Sequence, residues 1–364
     1  MPSKKSQPTI VGVPWNFATV WNKTLDNVKD RPLVPRNYLW ASELGQAFCD
    51  RYLKMNGVPY TNPPNERSRR KFQAGNMWEW VIGMVFIAAG ILKKKQIRVE
   101  TELKGLLRVS GKIDFTVGGE FDYDNAKKRI TEIKDSLMLM DLELPPFFFT
   151  AIDNFVEQYK GQILQEVAFE AKSVSSYMME KVQKTGAMPH HILQDFHYVH
   201  GNDQKISDGK ICYICKDDCI MEEFNVPDSK EIFKFYKNDI AQMTEYYNKG
   251  FDKRDPLKLM PPKENQVEFE TGVWRFVKNF KVEYSPYLKM LYGYETPEAY
   301  RMAWQYKIQS WNRVFKRYVR GDNITPKNIA AREEAVKYFP QFDHFVKLAK
   351  KDGAFQKPEE GEEE

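Results

Sequence analysis

The spacing of hydrophobic and polar residues predicts helices alternating with strands over the first two thirds of the chain. Hydrophobic positions recur at helical intervals over residues 41–55 and 67–92, which is typical of helices with one buried face. Strands are predicted where hydrophobic and polar residues alternate or where β-branched residues cluster. These segments are residues 97–103, 107–117 and 129–134.

The later part of the chain is predicted to be mainly helical. Residues 151–184 contain no proline and are predicted as helix, whereas residues 210–223 are predicted as a pair of strands. A further helix is expected over residues 232–247. Beyond a proline- and lysine-containing linker at 256–265, residues 297–320 have a strongly amphipathic helical pattern.

This order of elements predicts an α/β domain with a helical C-terminal extension. With 364 residues, of which 42% are hydrophobic, the chain can form a sizeable core. We expect four segments along the chain. They are an N-terminal arm over residues 1–36, a main domain over 37–265, a helical extension over 266–358 and an acidic, disordered tail over 359–364.

The acidic tail hides a basic body. The formal net charge is +5, but five of the last six residues are glutamates, so residues 1–358 carry +10. A basic body favours an anionic partner, and nucleic acid is the first candidate. An ordinary basic surface would give the same count, so the charge alone does not decide between them.

Several classes of protein do not fit this sequence. Met1 to Thr9 is polar, with no signal-peptide pattern after it, and four cysteines are too few for a disulfide scaffold. The most apolar stretch, residues 77–92, is shorter than the ~18–20 residues that span a bilayer and contains Glu79. We therefore expect a cytoplasmic protein without membrane partners.

One segment carries a constellation of candidate catalytic residues. Asp114 lies on one predicted strand, and Glu132 and Lys134 lie on the next. Residues two apart in a strand face the same side, and pairing of the strands would bring Asp114 beside Glu132. Two neighbouring carboxylates favour a hard divalent cation between them, and a nearby lysine can stabilise charge that develops on a phosphate.

The Asp/Glu-x-Lys spacing alone is a weak signal. It occurs six times, at Glu102, Glu132, Glu170, Asp203, Asp208 and Asp228. The copy at Glu132 is favoured because an aspartate precedes it in a β-rich segment. Glu79, which lies in an apolar helical stretch, is a further candidate because a carboxylate there needs a partner, a proton or a metal ion. A glutamate that reaches solvent from a helix face is the alternative.

A downstream segment offers two polar residues that would face a phosphate or a metal-bound water. Tyr159 and Gln162 are three residues apart in a predicted helix and would share one face. Taken alone, these two residues are equally consistent with an ordinary helix surface.

Taken in order, these residues resemble the PD-(D/E)XK nuclease superfamily, specifically its RecB-like and lambda-exonuclease-like branch. The resemblance spans roughly residues 37–225. The matching phrases are ASELGQAFCDR near Ser42, GNMWEW around Glu79, SGKIDF around Asp114, ITEIKDS around Glu132 and YKGQ around Gln162.

The resemblance implies a restriction-endonuclease-like core, in which helices flank a mixed central β-sheet. It implies that Asp114, Glu132 and the backbone carbonyl of Ile133 bind Mg²⁺ or Mn²⁺, assisted by Glu79. Lys134 would be the catalytic lysine, and Gln162 the glutamine of the downstream motif. The family's fuller motif is Gln-x-x-x-Tyr, but Glu166 follows Gln162 at that spacing, which leaves the partner of the glutamine open.

Some relatives also carry an iron–sulfur cluster held by one upstream and three downstream cysteines. The candidates here are Cys49, Cys212, Cys215 and Cys219. Their number and order fit such a cluster. Their spacing argues against it, because Cys212 and Cys215 would face opposite sides of a predicted strand. The histidines at 190, 191, 197 and 200 lack zinc-like spacing and are predicted to lie in a surface loop.

Three functional hypotheses follow. The first is a metal-dependent DNA exonuclease of recombination, repair or phage DNA metabolism, with a helicase or single-strand annealing protein as a possible partner. The second is a structure- or site-specific endonuclease on the same fold. The third is a non-catalytic nucleic-acid-binding protein. The last would use Arg313, Lys316 and Arg317 on the predicted helix at 297–320, whose tryptophans would otherwise simply form a core.

Overall fold

A six-stranded mixed sheet forms the centre of the molecule. The computed structural model describes residues 16, 32–142, 146–201, 206 and 208–355. Most of the N-terminal arm and the whole acidic tail lie outside the described residues. The strands of the sheet are β1 (Tyr38–Trp40), β2 (Leu92–Thr101), β3 (Arg108–Glu120), β4 (Ile163–Val174), β5 (Asp208–Cys215) and β6 (Met221–Pro227).

The strands run in the order β1-β3-β4-β5-β6, and β2 pairs with β3 as well. The β1–β3 and β4–β5 pairs are parallel, and the remaining pairs are antiparallel. The helices between and after the strands are α1 (Phe48–Met55), α2 (Glu66–Ala88), α3 (Tyr123–Leu139), α4 (Pro146–Gln158), α5 (Ser176–Thr185), α6 (Pro189–His200) and α7 (Lys230–Asn248). A short 3₁₀ helix, Ala41–Glu43, follows β1.

Helices cover both faces of this sheet. Helices α2, α3 and α4 pack on one face around Phe115 and Phe169, and helices α1, α6 and α7 pack on the other around Val109 and Tyr213. The expected α/β architecture, with a mixed central sheet flanked by helices, is confirmed. Within the part of the chain that the structure describes, no helix is long and apolar enough to cross a membrane.

The C-terminal part has a hydrophobic core of its own, built around Phe276, Trp304 and Trp311. It contains a hairpin of β7 (Val267–Glu270) and β8 (Arg275–Lys278), followed by α8 (Phe280–Glu283), α9 (Leu288–Tyr292), α10 (Pro297–Arg320), α11 (Pro326–Tyr338) and α12 (Phe342–Lys351). The predicted helix at 297–320 is confirmed as α10. The C-terminal part is attached to the main domain by contacts such as the hydrogen bond from Ser285 Oγ to Asp50 Oδ1 at 2.6 Å.

Two of the secondary-structure predictions that the structure overturns affect the position of the candidate catalytic residues. Residues 129–134 are not a strand but the middle of α3, which begins where the Asp122 side chain accepts a hydrogen bond from Asn125 N at 3.0 Å. The predicted helix at 151–184 is three elements, namely α4, β4 and α5. Gly161 has a φ of 72° in the turn between α4 and β4, a left-handed conformation in which a helix cannot continue.

Candidate active site

Asp114 and Glu170 lie side by side at the centre of the sheet. Strands β3 and β4 are antiparallel with Phe115 paired to Phe169, so the next residues along each strand, Asp114 and Glu170, stand opposite each other. Asp114 Oδ2 accepts a hydrogen bond from the backbone N–H of Ala171 at 3.2 Å. The sheet register therefore joins Asp114 to β4 and not to residues 129–134.

Strand β3 changes the faces of its side chains at Asp114. Val109 and Ile113 pack into the core cluster on one face of the sheet, whereas Phe115 and Val117 pack into the cluster on the other. Gln96, beside this point on the neighbouring strand β2, has a φ of 54°. The irregularity leaves the Asp114 carboxylate between the two packed faces, where it is only half-buried.

Glu79 reaches this position from helix α2. Gln96 Nε2 donates to Glu79 Oε1 at 3.0 Å and to Asp114 Oδ1 at 3.4 Å, so one amide joins the two carboxylates. Lys95 Nζ lies 4.0 Å from Glu79 Oε1. The sequence-based expectation that Glu79 accompanies Asp114 agrees with this arrangement.

Glu170 and Lys172 form a buried ion pair on one side of β4. Lys172 Nζ donates to Glu170 Oε1 at 2.6 Å, and Gln194 Nε2 of helix α6 donates to the same oxygen at 2.6 Å. The Glu170 side chain is only 4% exposed, yet its Oε2 atom has no hydrogen-bond partner. A buried carboxylate oxygen without a donor is energetically costly, and binding of a cation or a proton would stabilise it.

Helix α6 supplies a Gln-x-x-x-Tyr pair directly behind this carboxylate. Gln194 Nε2 also lies 2.9 Å from the hydroxyl of Tyr198, one turn further along the helix. Gly111 of β3 leaves room for that ring, since a Cβ atom at Gly111 would lie 2.7 Å from Tyr198 Cε1. The Gln-x-x-x-Tyr spacing therefore occurs at Gln194 and Tyr198, whereas the sequence-based prediction placed the glutamine at Gln162.

The same helix adds a second buried carboxyl group. Asp195 is fully buried, and neither of its carboxyl oxygens has a hydrogen-bond partner. A Cβ atom on Gly209 of β5 would lie only 1.9 Å from Asp195 Oδ2, so the glycine makes space for this side chain. Burial, together with the charge of Glu170, raises the pKa of Asp195 well above its ordinary value.

The carboxylates of the site destabilise one another. Burial and the charges of Glu170 and Glu79 raise the pKa of Asp114 from 3.8 to about 8, although Lys172 acts in the opposite direction. Burial alone would lower the pKa of Lys172, but its ion pair with Glu170 raises that pKa above the ordinary lysine value. Lys172 therefore remains protonated, whereas Asp114 without a cation keeps its proton up to about pH 8.

These features fit a divalent cation. Within the described ranges, no three His, Cys, Asp or Glu side chains are already arranged as a metal-binding group. Mg²⁺ does not need such a group, because it is commonly held by one or two carboxylates together with waters and substrate phosphate oxygens. Asp114 and Glu170, the latter through its unpartnered Oε2 atom, supply that minimal set.

Glu132, Ile133 and Lys134 do not belong to this cluster. All three lie on helix α3, where Glu132 is 62% exposed and pairs with Lys128 at 3.8 Å. Lys134 Nζ lies 3.6 Å from Asp153 Oδ2, and Ile133 packs against the core. The strand pairing that would have placed Glu132 beside Asp114 does not exist, because β3 pairs with β1, β2 and β4.

Gln162 and Tyr159 lie at the far end of β4. Gln162 Nε2 donates to the backbone carbonyl of Gln158 at 3.1 Å, and the Tyr159 ring packs against Phe155 with ring centroids 4.8 Å apart. Gln162 precedes Glu170 by eight residues along the extended strand, which is about 25 Å of chain. The structure therefore does not bring these two residues to the carboxylates.

The basic residues of helix α10 belong to the C-terminal part. Lys316 Nζ lies 5.5 Å from the ring of Phe355, and Arg317 donates to the carbonyl of Asn323 at 3.4 Å. Trp304 and Trp311, on the same helix, are buried in the C-terminal core. The tryptophans therefore form a core, and substrate binding by Arg313, Lys316 and Arg317 stays a prediction.

The cysteines are spread over several elements, whereas the histidines at 190, 191, 197 and 200 share one helix. Cys49 donates to the carbonyls of Pro261 and Pro262 at 3.3 Å. Cys212 and Cys215 are buried on opposite faces of β5, and Cys219 is exposed. The surface loop predicted for the four histidines is wrong, because they lie on helix α6, where His197 is buried and its Nε2 atom lies 3.2 Å from the carbonyl oxygen of Val99.

Comparison with known proteins assigns no family to the chain. No protein-family model matches it, and no curated protein is similar enough in sequence to match it. The crystal structure of SSO0001 resembles it over 64% of this chain and 87% of that chain, with 12% sequence identity and a TM-score of 0.32. A similarity of this size does not assign a fold family or a function.

Proposed function

We propose that the chain is a divalent-metal-dependent nuclease that hydrolyses phosphodiester bonds in DNA, built on a restriction-endonuclease-like core of the PD-(D/E)XK superfamily. The observation that carries the proposal is one cluster. Glu170 and Lys172 pair on β4 at 2.6 Å, Asp114 lies opposite them on β3, and Gln194 and Tyr198 lie behind them on α6. This combination of side chains suits the hydrolysis of a phosphate diester.

Each side chain has a role that follows from its contacts. Asp114 and Glu170 would hold the cation, which when bound supplies an activated water and stabilises charge on the scissile phosphate. Gln194 fixes the orientation of the Glu170 carboxylate through its hydrogen bond of 2.6 Å. Lys172, held protonated by Glu170, would orient a water or stabilise the negative charge that develops on the phosphate.

Two further features support a nucleic-acid substrate. The body of the protein, residues 1–358, carries a net charge of +10, which favours an anionic polymer. Strand β2 also carries three lysines directly after its first residue, Lys93 to Lys95, and Lys95 Nζ lies 4.0 Å from Glu79 Oε1. The resemblance of the sequence favours an exonuclease of recombination or repair over an endonuclease.

The test is a cleavage assay on end-labelled single-stranded and double-stranded DNA. We expect digestion with Mg²⁺ or Mn²⁺, no digestion in EDTA, and a loss of at least about 100-fold in rate for Asp114→Asn. Closed circular DNA should be spared by an exonuclease, and cutting of circles would indicate the endonuclease instead. Metal-independent cleavage, or full activity of Asp114→Asn, would reject the proposed active site.

A further inference from the structure

Helix α2 extends more than three turns beyond Glu79 towards its N-terminus, and this stretch carries an exposed aromatic ring about two turns away. Phe72 precedes Glu79 by seven residues, so the two side chains leave the helix within about 20° of each other and about 10 Å apart along its axis. The Phe72 side chain is 60% exposed. A large apolar ring that is exposed to water, on the same side of the helix as the candidate active site, is available to bind an apolar part of a ligand.

A close approach between helix α2 and the end of β4 shows where this ring lies. A Cβ atom on Gly75, one turn from Phe72, would lie 3.2 Å from Ser173 Oγ, and Ser173 follows Lys172 directly. The helix therefore passes over the end of β4 that carries the catalytic cluster. Phe72 lies on the turn of the helix beyond that contact.

Lys216 lies at the same end of the sheet, within range of the charge of Lys71. Lys216 follows β5, and its backbone N–H donates to the carbonyl of Val174, the last residue of β4, at 2.9 Å. Burial and the nearby charge of Lys71 lower the pKa of Lys216, although the charge of Asp217 acts in the opposite direction. The carboxylate next to it, that of Asp217, is engaged by the backbone N–H of Ser176 at 2.9 Å. Two ammonium groups that repel each other, one of them on the residue next to Phe72, would be stabilised by an anion between them.

We propose that Phe72, Lys71 and Lys216 form a nucleotide subsite that holds one unpaired base and a phosphate of the substrate strand next to the scissile phosphate. The proposal rests on the proposed nuclease function, since that function supplies the strand. Bases of any identity stack on an aromatic ring, whereas lysines bind the backbone phosphate. A base can reach the ring only when it is not paired, so the subsite selects single strands or single-stranded ends over blunt duplex.

The chain contains a matched control for this subsite. Lys234 and Phe235 form the same Lys-Phe dipeptide on helix α7, where Phe235 is 68% exposed. Helix α7 packs on the opposite face of the sheet from α2. Substitutions there remove the same side chains from an equally exposed helix surface without touching the proposed subsite.

The experiment measures binding of the full-length protein to a fluorescent single-stranded oligonucleotide and to a blunt hairpin, by anisotropy in EDTA so that nothing is cleaved. We expect Phe72→Ala to weaken single-strand binding about tenfold and hairpin binding less than twofold. Phe72→Trp should bind as the wild type does, and Phe235→Ala should be unchanged. Lys71→Ala combined with Lys216→Ala should also lower the salt dependence of single-strand binding by about 0.7 in log–log slope.

The outcomes separate the subsite from the nuclease proposal. If Phe72→Ala binds single strands as tightly as Phe235→Ala does, the subsite is wrong whatever the cleavage assay shows. Equal loss of hairpin and single-strand binding would also overturn it, because stacking of an unpaired base would not be the cause. If Asp114→Asn cleaves normally but Phe72→Ala binds single strands weakly, the active-site proposal fails and the subsite stands as a single-strand binding site.

Discussion

Two Glu-x-Lys triplets with the same spacing have opposite surroundings in this protein. Glu132 and Lys134 lie on helix α3, where side chains two positions apart diverge by about 200° around the axis. Glu170 and Lys172 lie on strand β4, where the same spacing puts both side chains on one face. The exposed fraction of the glutamate side chain is 62% in the first triplet and 4% in the second.

The difference shows that spacing acquires chemical meaning only from the element that carries it. On the helix, Glu132 and Lys134 pair separately with Lys128 and Asp153, and both remain hydrated. Such surface pairs contribute little to stability or chemistry. On the strand, a buried glutamate with a free oxygen stands beside Asp114. Only this second arrangement would be stabilised by a bound cation.

Substitution of Gln194, which lies behind the triplet on β4, is expected to have the largest effect of those that test this comparison. Gln194 contacts Glu170, whereas Gln162 contacts only the carbonyl of its own preceding turn. We expect Gln194→Ala to raise the Mg²⁺ concentration for half-maximal cleavage by about 10–100-fold, because partners that orient metal ligands typically contribute that much. Gln162→Ala should stay within about twofold. Equal behaviour of the two variants would remove Gln194 from the site.

A smaller effect is expected on the stability of the metal-free protein. The Asp114 carboxyl has its pKa raised to about 8 in the folded protein, from 3.8, so the folded state keeps a proton that the unfolded chain loses. Stability should therefore fall as the pH rises from about 4 to about 8. Asp114→Asn should stabilise the protein in EDTA at pH 8 by on the order of 1–3 kcal/mol and flatten this pH dependence.

Urea unfolding in EDTA at pH 5 and pH 8 measures this effect. Glu132→Gln is the matched control, and its free energy of unfolding should change by less than about 0.5 kcal/mol at either pH. If Asp114→Asn is destabilising at pH 8, the carboxylates of the strand cluster do not repel one another as described.

Part of this site could be predicted from the sequence. Asp114 follows a clear strand pattern, and Glu79 is conspicuous as a charge in an apolar helix, so the sequence identifies both. Glu170 is hard to recognise in the sequence because residues 167–171 are apolar or buried on both faces of the sheet. A central strand of this kind shows no alternation and cannot be told from a helix by periodicity. The Gln-x-x-x-Tyr spacing of Gln194 and Tyr198 is the signal in the sequence that points to the triplet on β4.

The fold is easier to predict than the site, because local patterns determine the elements but not how distant strands pair. The strand pair at 210–223, the helix at 232–247 and helix α10 have the expected type and nearly the expected bounds. The register between β3 and β4, which places Asp114 against Glu170, depends on contacts between segments about fifty residues apart. No local pattern carries that information.

The most direct test of the account is binding of Mn²⁺, followed by electron paramagnetic resonance, to the wild type, Glu170→Gln and Glu132→Gln. The measurement needs no substrate and compares the two triplets in one experiment. We expect the wild type and Glu132→Gln to bind Mn²⁺ equally, and Glu170→Gln to bind it at least about tenfold more weakly. Unchanged binding in Glu170→Gln, or a loss confined to Glu132→Gln, would contradict the assignment of the site to β3 and β4.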